Sequence, residues 1–471
     1  MTSKRKMGFL SKVLLLVLCL AVLAGCATQQ ATDQKPAQST DKPADKPQTQ
    51  DGGQTTTRQM TIRYMSPATA GGQSQQYEIL NNLIAKFQEE HPGVTIIHDA
   101  LPTADLRTKL TVEMASGNPP HCSWSPLNYA REFMRDNAII DWRPVYEDPK
   151  HKEFKEWFDE KVLEFSAYKD GRLMMAPYEA SIDGLFYNSE IFEKYGWEPP
   201  KTFDDLIDLA AKCREQGIYA IVTGGKDMRF AWMAAALMAR AAGVENLKQL
   251  ALGDALTKWN DPQYGFPQAM QKFKQLVDAG AFPPGTVGLS ADEADRMFVR
   301  GEVAMYYEGQ WKPGNWLALG GEEFLDKVKR VNFPAMPDMP NGDPNVCVGG
   351  TVVGTIAASQ KPQDEIDMTI EWVKVVSSPA YYVAGMEAGA NLYAGKTAYD
   401  RNKPPRITND LYDAFQAAGG YIPSMDTLAP PAIDLAIKQT AMPGILSGEL
   451  TVEEAIAEVQ KAAEEYAKSL E

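Results

Sequence analysis

The apolar and polar positions divide the chain into an N-terminal tract and a patterned body. Residues 60–65 alternate as a strand does, Tyr77 to Phe87 repeat apolar residues at helical spacing, and residues 94–97 predict a second strand. A helix over 104–116 and a short strand over 122–124 follow. This βαβ alternation predicts an α/β fold with a mainly parallel sheet, in which ligands bind at the carboxyl ends of the strands.

The same alternation returns later in the chain, which indicates a second α/β unit. The predicted elements are a strand over 184–187, a helix over 202–213, a strand over 219–222, helices over 230–243 and 267–280, and a buried strand over 303–307. Thr451-Val-Glu-Glu is a capping-box pattern and predicts the start of the last helix. The length of 471 residues fits two or three domains, and the absence of a fixed short period excludes solenoids and propellers.

The N-terminal tract has the pattern of an export signal. Lys4, Arg5 and Lys6 precede the apolar run 13–23, which is shorter than the roughly 20 residues that cross a bilayer. We therefore interpret residues 1–25 as a signal peptide rather than a retained membrane anchor. The junction LAGC at 23–26 resembles the bacterial lipobox, which predicts cleavage before Cys26 and acylation of its sulfur.

The segment after Cys26 is polar and rich in Gln, Asp, Lys and Pro as far as residue 59. It offers too little apolar surface to offset the entropy of ordering it, so residues 26–59 are predicted to be a lipidated cysteine and a flexible tether. The expected location is the outer face of the cell membrane, held there by lipid.

Composition and charge exclude several classes of function. With 44% hydrophobic and 23% charged residues the body is that of an ordinary soluble protein, and a formal net charge of −15 disfavours nucleic acid as a partner. Cys122, Cys213 and Cys347 form an odd set and are expected to be small buried residues rather than a disulfide framework. The four histidines lack zinc spacing, and neither a phosphate loop nor a Gly-x-Ser-x-Gly elbow occurs, so no metal and no cofactor are expected.

Several motifs occur in a fixed order along the body. They are IAKFQEEHPGVTI at 84–96, GLFYNSEIFEKYGW at 184–197, FVRGEVAMYYEGQW at 298–311, Gly349-Gly350, and GELTVEEA at 448–455. Behind a lipobox, this ordered set resembles the extracellular solute-binding proteins of family 1, the group of maltose-binding-protein-like proteins that serve ABC-type sugar importers.

The resemblance implies a two-lobe periplasmic-binding-protein-like fold (type II) with a hinge between the lobes. The expected N-terminal lobe comprises 60–180 and 346–392, and the C-terminal lobe 181–345 and 393–471. The chain would cross between them near 177–183, 346–350 and 392–397. It also implies a monomeric binding protein, not an enzyme, which delivers a carbohydrate such as an oligosaccharide to ABC permease subunits and, through them, to a cytoplasmic ATPase.

A sugar presents C–H faces and hydroxyl edges, so its site needs aromatic rings and hydrogen-bonding side chains. By resemblance, Trp311 matches the family's ligand-stacking tryptophan. Trp124, at the end of a predicted strand, and Trp232 are further aromatic candidates. The polar candidates are Tyr178, Glu179 and Asp183 on the first crossing, Glu308 before Trp311, Gln73 in the first loop, and the backbone at Gly350.

Each candidate has an ordinary structural alternative, and the function has two. The tryptophans could belong to the core, the carboxylates to salt bridges, and Gly350 to a strained turn. An exported glycoside hydrolase could use Glu179 and Asp183 as its pair of carboxylates. The same fold could instead bind a peptide, a polyamine or a glycerophosphate, although aromatic residues favour a sugar over a phosphate.

Overall fold

The computed structural model describes residues 59–471, apart from positions 72, 159, 165, 343–346, 396, 397, 419, 420 and 423. The predicted signal peptide, Cys26 and nearly all of the tether lie outside the described residues, as does part of the expected crossings near 346–350 and 392–397. Within 59–471, none of the helices has both the length and the apolar character needed to cross a bilayer.

Nine strands form the sheet framework of the described residues. They are β1 Met60–Ser66, β2 Val94–Ala100, β3 Cys122–Pro126, β4 Ala176–Asn188, β5 Tyr219–Val222, β6 Val303–Gly309, β7 Val328–Val331, β8 Cys347–Ala357 and β9 Tyr421–Ile422.

In the part of the chain that the structure describes, twenty α-helices surround the strands. They are α1 Ser74–Glu90, α2 Thr103–Ala115, α3 Leu127–Arg135, α4 Arg143–Glu147, α5 Lys152–Glu156, α6 Glu160–Glu164, α7 Ser189–Tyr195, α8 Phe203–Glu215, α9 Trp232–Ala242, α10 Val244–Leu252, α11 Phe266–Asp278, α12 Ala291–Val299, α13 Pro313–Leu325, α14 Gln363–Val376, α15 Pro379–Glu387, α16 Arg406–Ala417, α17 Met425–Leu428, α18 Pro431–Leu435, α19 Met442–Ser447 and α20 Val452–Lys468. A π-helical turn, Ala436–Ala441, joins α18 to α19.

Local sequence signals account for the starts of several helices. The predicted capping box at Thr451 is confirmed, because its hydroxyl accepts from the backbone N–H of Glu454 and the Glu454 carboxylate accepts from the N–H of Thr451. Thr202 and Ser290 cap α8 and α12 in the same way. The strands predicted over 60–65, 94–97, 122–124, 219–222 and 303–307 are all present.

The sheet is mixed rather than mainly parallel. Its order is β2-β1-β3-β8-β4-β6-β5, with β7 beside β4 and β9 beside β8. The βαβ units give the parallel pairs β1–β2, β1–β3 and β5–β6, whereas β8 runs antiparallel to β3 and β4, and β4 runs antiparallel to β6 and β7. The prediction of a mainly parallel sheet is therefore wrong for its centre, where β8 runs opposite to β3 and β4, and β4 runs opposite to β6.

The long strands connect separate hydrophobic cores. Ala176 and Tyr178 of β4 pack in a first core with Ile62 and Trp372, whereas Leu185 packs in a second core, built largely from α8, α9, α11 and α20. A third core, which contains Phe186, lies beside the second. β8 makes the same change, since Val348 belongs to the second core and Ile356 to the first. The predicted lobe boundaries themselves stay a prediction.

Candidate functional site

A cavity lies along the region where β4 and β8 change from one core to the next. Six of the candidate residues line it: Gln73, Trp124, Glu179, Asp183, Trp232 and Trp311. They come from the α1 N-terminus, β3, β4, the start of α9 and the turn after β6. The fold therefore brings together side chains that are far apart in the sequence.

One part of the cavity lining is the Trp311 wall, formed by Arg229, Trp232 and Trp311 and backed by Glu308. The rings of Trp232 and Trp311 meet edge to face, with centroids 5.4 Å apart. The Arg229 guanidinium lies 5.6 Å from the Trp232 ring centroid and 5.7 Å from that of Trp311. Both tryptophans are half-buried, so each ring keeps surface toward the cavity.

The Trp311 ring lies directly over the backbone of Gly309. A Cβ atom at Gly309 would come within 2.3 Å of the ring, so any other residue there would displace it. The Trp311 Nε1 makes no hydrogen bond to the described residues. This nitrogen is itself buried, so the Trp311 indole presents its ring surface rather than its N–H to the cavity.

Glu308 lies behind this wall rather than in the cavity, which corrects its candidacy as a ligand contact. Its side chain is fully buried and its Oε1 accepts a hydrogen bond from Arg229 Nη1 at 2.5 Å. Burial raises the pKa of Glu308, and the positive charge of Arg229 opposes that shift. Glu308 therefore contacts Arg229, which lines the cavity, and does not itself reach the cavity.

A second part of the lining is the Trp124 wall, formed by Arg107, Trp124 and Lys438 and backed by Asp434. Trp124 is 6% exposed, and its Nε1 also has no partner among the described residues. The Arg107 guanidinium lies 5.9 Å from the Trp124 ring centroid. Lys438 Nζ donates to Asp434 Oδ2 at 2.9 Å, and Arg107 Nη1 lies 4.0 Å from the same oxygen. This wall is more deeply buried than the other.

Between the walls, β4 presents alternate residues to the cavity. Glu179, Ser181 and Asp183 line it, as expected for positions i, i+2 and i+4 on one face of a strand. Tyr178 has the opposite parity and lies in the first core, where its hydroxyl bonds Gln76 at 3.0 Å and Tyr381 at 3.1 Å. The structure thus separates Tyr178 from the cavity.

Glu179 has an unusual protonation state. Burial raises its pKa to about 8, and the neighbouring Gln310 amide lowers the pKa in part. No described cation forms an ion pair with this carboxyl group. Near neutral pH it is therefore largely protonated, and it can both donate to and accept from a ligand hydroxyl.

Gly349 and Gly350 lie where β8 pairs with β4. Gly349 lines the cavity, and at its φ of 146° a Cβ atom would stand 2.1 Å from the Ser181 carbonyl oxygen. Gly350, with a φ of 111°, pairs with Ser181 and does not line the cavity. The close contact at these glycines is with the β4 backbone, and Gly350 does not offer its backbone to a ligand in the cavity.

Sequence reasoning missed the cations of the cavity. Arg107, Arg229 and Lys438 all line it, together with Asp227. Asp227 Oδ2 accepts from the Ala291 N–H at the start of α12, and Met228 beside it has a left-handed φ of 61°. The loop after β5 was detectable by its position at a strand's carboxyl end, whereas Lys438, on the π-helical turn, carries no local sequence signal.

The lining groups suit the binding of a polar molecule with apolar faces. Aromatic rings stand on two sides, and donors and acceptors of both charges lie between them. In the described part of the chain, no group of histidine, cysteine or acidic side chains could hold a metal ion. Cys122 and Cys213 are buried free thiols, as predicted.

Comparison with known proteins gives the same class of protein. The family model of bacterial extracellular solute-binding proteins matches residues 71–383. An uncharacterized ABC transporter extracellular-binding protein of Pyrococcus horikoshii is 24% identical over 268 residues, 55% of this chain and 57% of that protein. A probable sugar-binding periplasmic protein of Mesorhizobium japonicum is 26% identical over 269 residues, 55% of this chain and 60% of that protein.

The fold also matches a solved structure of this class. A chitin oligosaccharide binding protein superposes with a TM-score of 0.76 at 22% identity, covering 87% of this chain and 98% of that one. This confirms the predicted α/β solute-binding-protein fold. The aligned sequence spans somewhat over half the length of the curated relatives named above. The chain belongs to the bacterial extracellular solute-binding protein family, a family of binding proteins rather than enzymes.

Proposed function

We propose that the cavity binds a carbohydrate, such as an oligosaccharide, which the protein delivers to the permease of an ABC importer. The observation that carries the proposal is the convergence of Trp124, Trp232 and Trp311 with hydrogen-bonding side chains in one cavity. The names of a sugar-binding relative and of a chitin oligosaccharide binding structure support the same ligand class.

The charge pattern favours an uncharged ligand. Arg229 is paired with Glu308, and both Lys438 and Arg107 contact Asp434, so the cations that line the cavity already face carboxylates. A glycerophosphate would compete with those carboxylates, and a polyamine would meet Arg107, Arg229 and Lys438 as like charges. Sugar hydroxyls can instead bond both kinds of group without displacing either.

The aromatic rings have complementary roles in this proposal. The C–H face of a sugar ring would pack on Trp311, and on Trp232 at its edge, while Trp124 adds a further aromatic surface. Glu179, Ser181 and Asp183 would bond hydroxyls along the middle of the ligand, with Gln73 at its end. The bound sugar would then contact both sides of the cavity.

The setting of the protein follows from its N-terminal sequence. We infer cleavage of residues 1–25, acylation of Cys26 and a tether over 26–59 that holds a monomeric body at the outer face of the membrane. The permease and its cytoplasmic ATPase are separate chains. Replacement of Cys26 by Ala should release the protein from the membrane fraction, and a variant that stays membrane-bound would refute the anchor.

A thermal-shift screen tests the ligand class. The probes are chito-, xylo- and malto-oligosaccharides, with a tripeptide, spermidine and glycerol 3-phosphate as the competing classes. Binding to the folded state raises the melting temperature, and a ligand at 100 times its Kd adds about 2.7 kcal/mol of stability. We expect stabilisation by at least one sugar and none by the other three classes.

A shift with the tripeptide, spermidine or glycerol 3-phosphate alone would refute carbohydrate binding. Chromatography of the sugars after prolonged incubation addresses the hydrolase alternative. We expect every oligosaccharide to be recovered intact, and shortened products would contradict a binding role.

A further inference from the structure

Two buried ion pairs bracket Trp311 in the chain. Glu308, three residues before it, holds Arg229 as described above. Lys312, the next residue, donates from Nζ to Asp295 Oδ2 at 2.7 Å, and the side chains of both partners are at most 2% exposed. Neither Lys312 nor Asp295 lines the cavity.

Asp295 gathers further donors from the same segment. The Trp316 Nε1 donates to Asp295 Oδ1 at 2.9 Å, and the Asn315 Nδ2 lies 3.5 Å from Oδ2. Lys312, Asn315 and Trp316 belong to the start of α13, so one carboxylate on α12 fixes the turn that follows Trp311. Its negative charge also suits the N-terminal end of a helix.

A buried ion pair is a weak source of stability. Removing two charges from water opposes their attraction, and replacing such a pair by apolar residues of similar volume is often neutral. A structural role alone therefore gives little reason to bury Lys312 and Asp295 here. What the pair supplies is a directional contact that a packed apolar pair lacks.

We propose that Asp295 is a positioning residue, which through Lys312 sets the orientation of the Trp311 ring in the cavity. The inference rests on the proposed ligand role of Trp311, but the orientation itself exists without ligand. With Gly309 beneath the ring, Trp232 at its edge and the Lys312 turn after it, the ring is held in one place before a sugar arrives. Such preorganisation lowers the entropy lost on binding.

The test is ¹⁹F NMR of the protein labelled with 5-fluorotryptophan, with no ligand present. Trp311→Phe assigns the Trp311 resonance. The variant Lys312→Met with Asp295→Asn removes both charges, while Asn keeps an oxygen for Trp316 Nε1. The control is Lys272→Met with Asp338→Asn, which removes an ion pair of 2.8 Å that does not line the cavity.

We expect the Trp311 resonance to split, broaden or move in the Lys312/Asp295 variant by more than in the control, with similar melting temperatures in both. Acrylamide should also quench the Trp311 emission, taken as the difference from Trp311→Phe, more strongly in that variant. A Trp311 resonance that coincides with wild type would overturn the proposal. If the double variant does not fold, Lys312→Gln, which leaves Asp295 its bonds from Trp316 and Asn315, is judged by the same two results.

These outcomes separate the inference from the proposed function. A protein that binds none of the sugars in the thermal-shift screen but whose Trp311 resonance moves in the variant would refute carbohydrate binding and retain the positioning role. Sugar binding together with an unmoved Trp311 resonance would support carbohydrate binding and overturn the positioning role.

Discussion

The Trp311 wall and the Trp124 wall present similar groups to the cavity but are assembled differently. In the Trp311 wall, Arg229 and its carboxylate Glu308 both lie on the side of the second and third cores. In the Trp124 wall, Arg107 follows Leu106 of the first core, whereas its partner Asp434 lies between residues of the second core. The ion pair of the Trp311 wall therefore forms within one side of the molecule, whereas that of the Trp124 wall joins two segments that belong to different cores.

The two walls should therefore contribute differently to ligand binding and to the stability of the folded state. The Trp311 ring is half-buried and rests on a glycine, whereas Trp124 is 6% exposed and packs in the first core. Substitutions in the Trp311 wall should mainly change ligand binding. Substitutions in the Trp124 wall should change the folded state as well.

Trp124→Ala should have the largest effect. Deleting a buried tryptophan removes apolar contact and leaves a cavity, so we expect the free energy of unfolding to fall by about 3 to 5 kcal/mol. Urea denaturation followed by circular dichroism measures the change. A loss below about 1 kcal/mol would show that the Trp124 wall resembles the Trp311 wall.

Glu179→Gln should change how stability depends on pH. In the wild type the unfolded chain releases this proton near the ordinary carboxyl pKa of 4.5, but the folded chain keeps it until about pH 8. Wild-type stability should therefore fall between those values, and the Gln variant should gain about 4 kcal/mol relative to it by pH 8.

Denaturation curves of wild type, Glu179→Gln and the exposed control Glu322→Gln from pH 4 to 9 measure this effect. Stability curves that run parallel for wild type and Glu179→Gln would show that the cavity does not hold Glu179 protonated. Glu322 is exposed, so its variant shows the effect of a Glu→Gln change at the protein surface.

Trp311→Ala should weaken sugar binding by about 1 to 3 kcal/mol, since a central aromatic contact carries much of a binding energy. Its effect on unfolding should be smaller than that of Trp124→Ala, because the ring is only half-buried. Calorimetric titration and denaturation of the same preparation give both values. A variant that fails to fold would place Trp311 in the core.

Tyr466→Phe should have the smallest effect. The Tyr466 hydroxyl on α20 donates to Glu132 on α3 at 2.6 Å, which is another contact between distant segments on the side of the Trp124 wall. A single hydrogen bond to a charged group contributes about 1.5 to 3 kcal/mol at most, and less where the group is partly exposed. We expect a loss of about 1 kcal/mol in unfolding free energy, and no loss would weaken the view that this side depends on such contacts.

The sequence predicted those features that depend on residues close together in the chain. The strands, the capping box at Thr451 and the position of Trp311 in a turn after a strand all depend on neighbouring residues. Trp124 lines the cavity from β3, at the edge of an α/β sheet where ligands are expected. The βαβ alternation did not predict the central antiparallel strands, because it carries no information about the strands that connect two cores.

The structure places two candidate residues away from the cavity, and the cause differs for each. Strand alternation puts Tyr178 on the face of β4 opposite to Glu179 and Asp183. Glu308 pairs with Arg229, which lies 79 residues earlier in the chain, so no local pattern indicates that contact. Lys438 joins the cavity only through tertiary packing of the π-helical turn, which no local pattern reveals.

Isothermal titration calorimetry of the wild type and Trp311→Ala with chito-, xylo- and malto-oligosaccharides tests carbohydrate binding in the cavity most directly. We expect saturable binding of at least one series by the wild type and a Kd at least fivefold higher for the variant, the lower end of the effect expected for such a contact. A wild type that binds none of them, or a variant with an unchanged Kd, would contradict it.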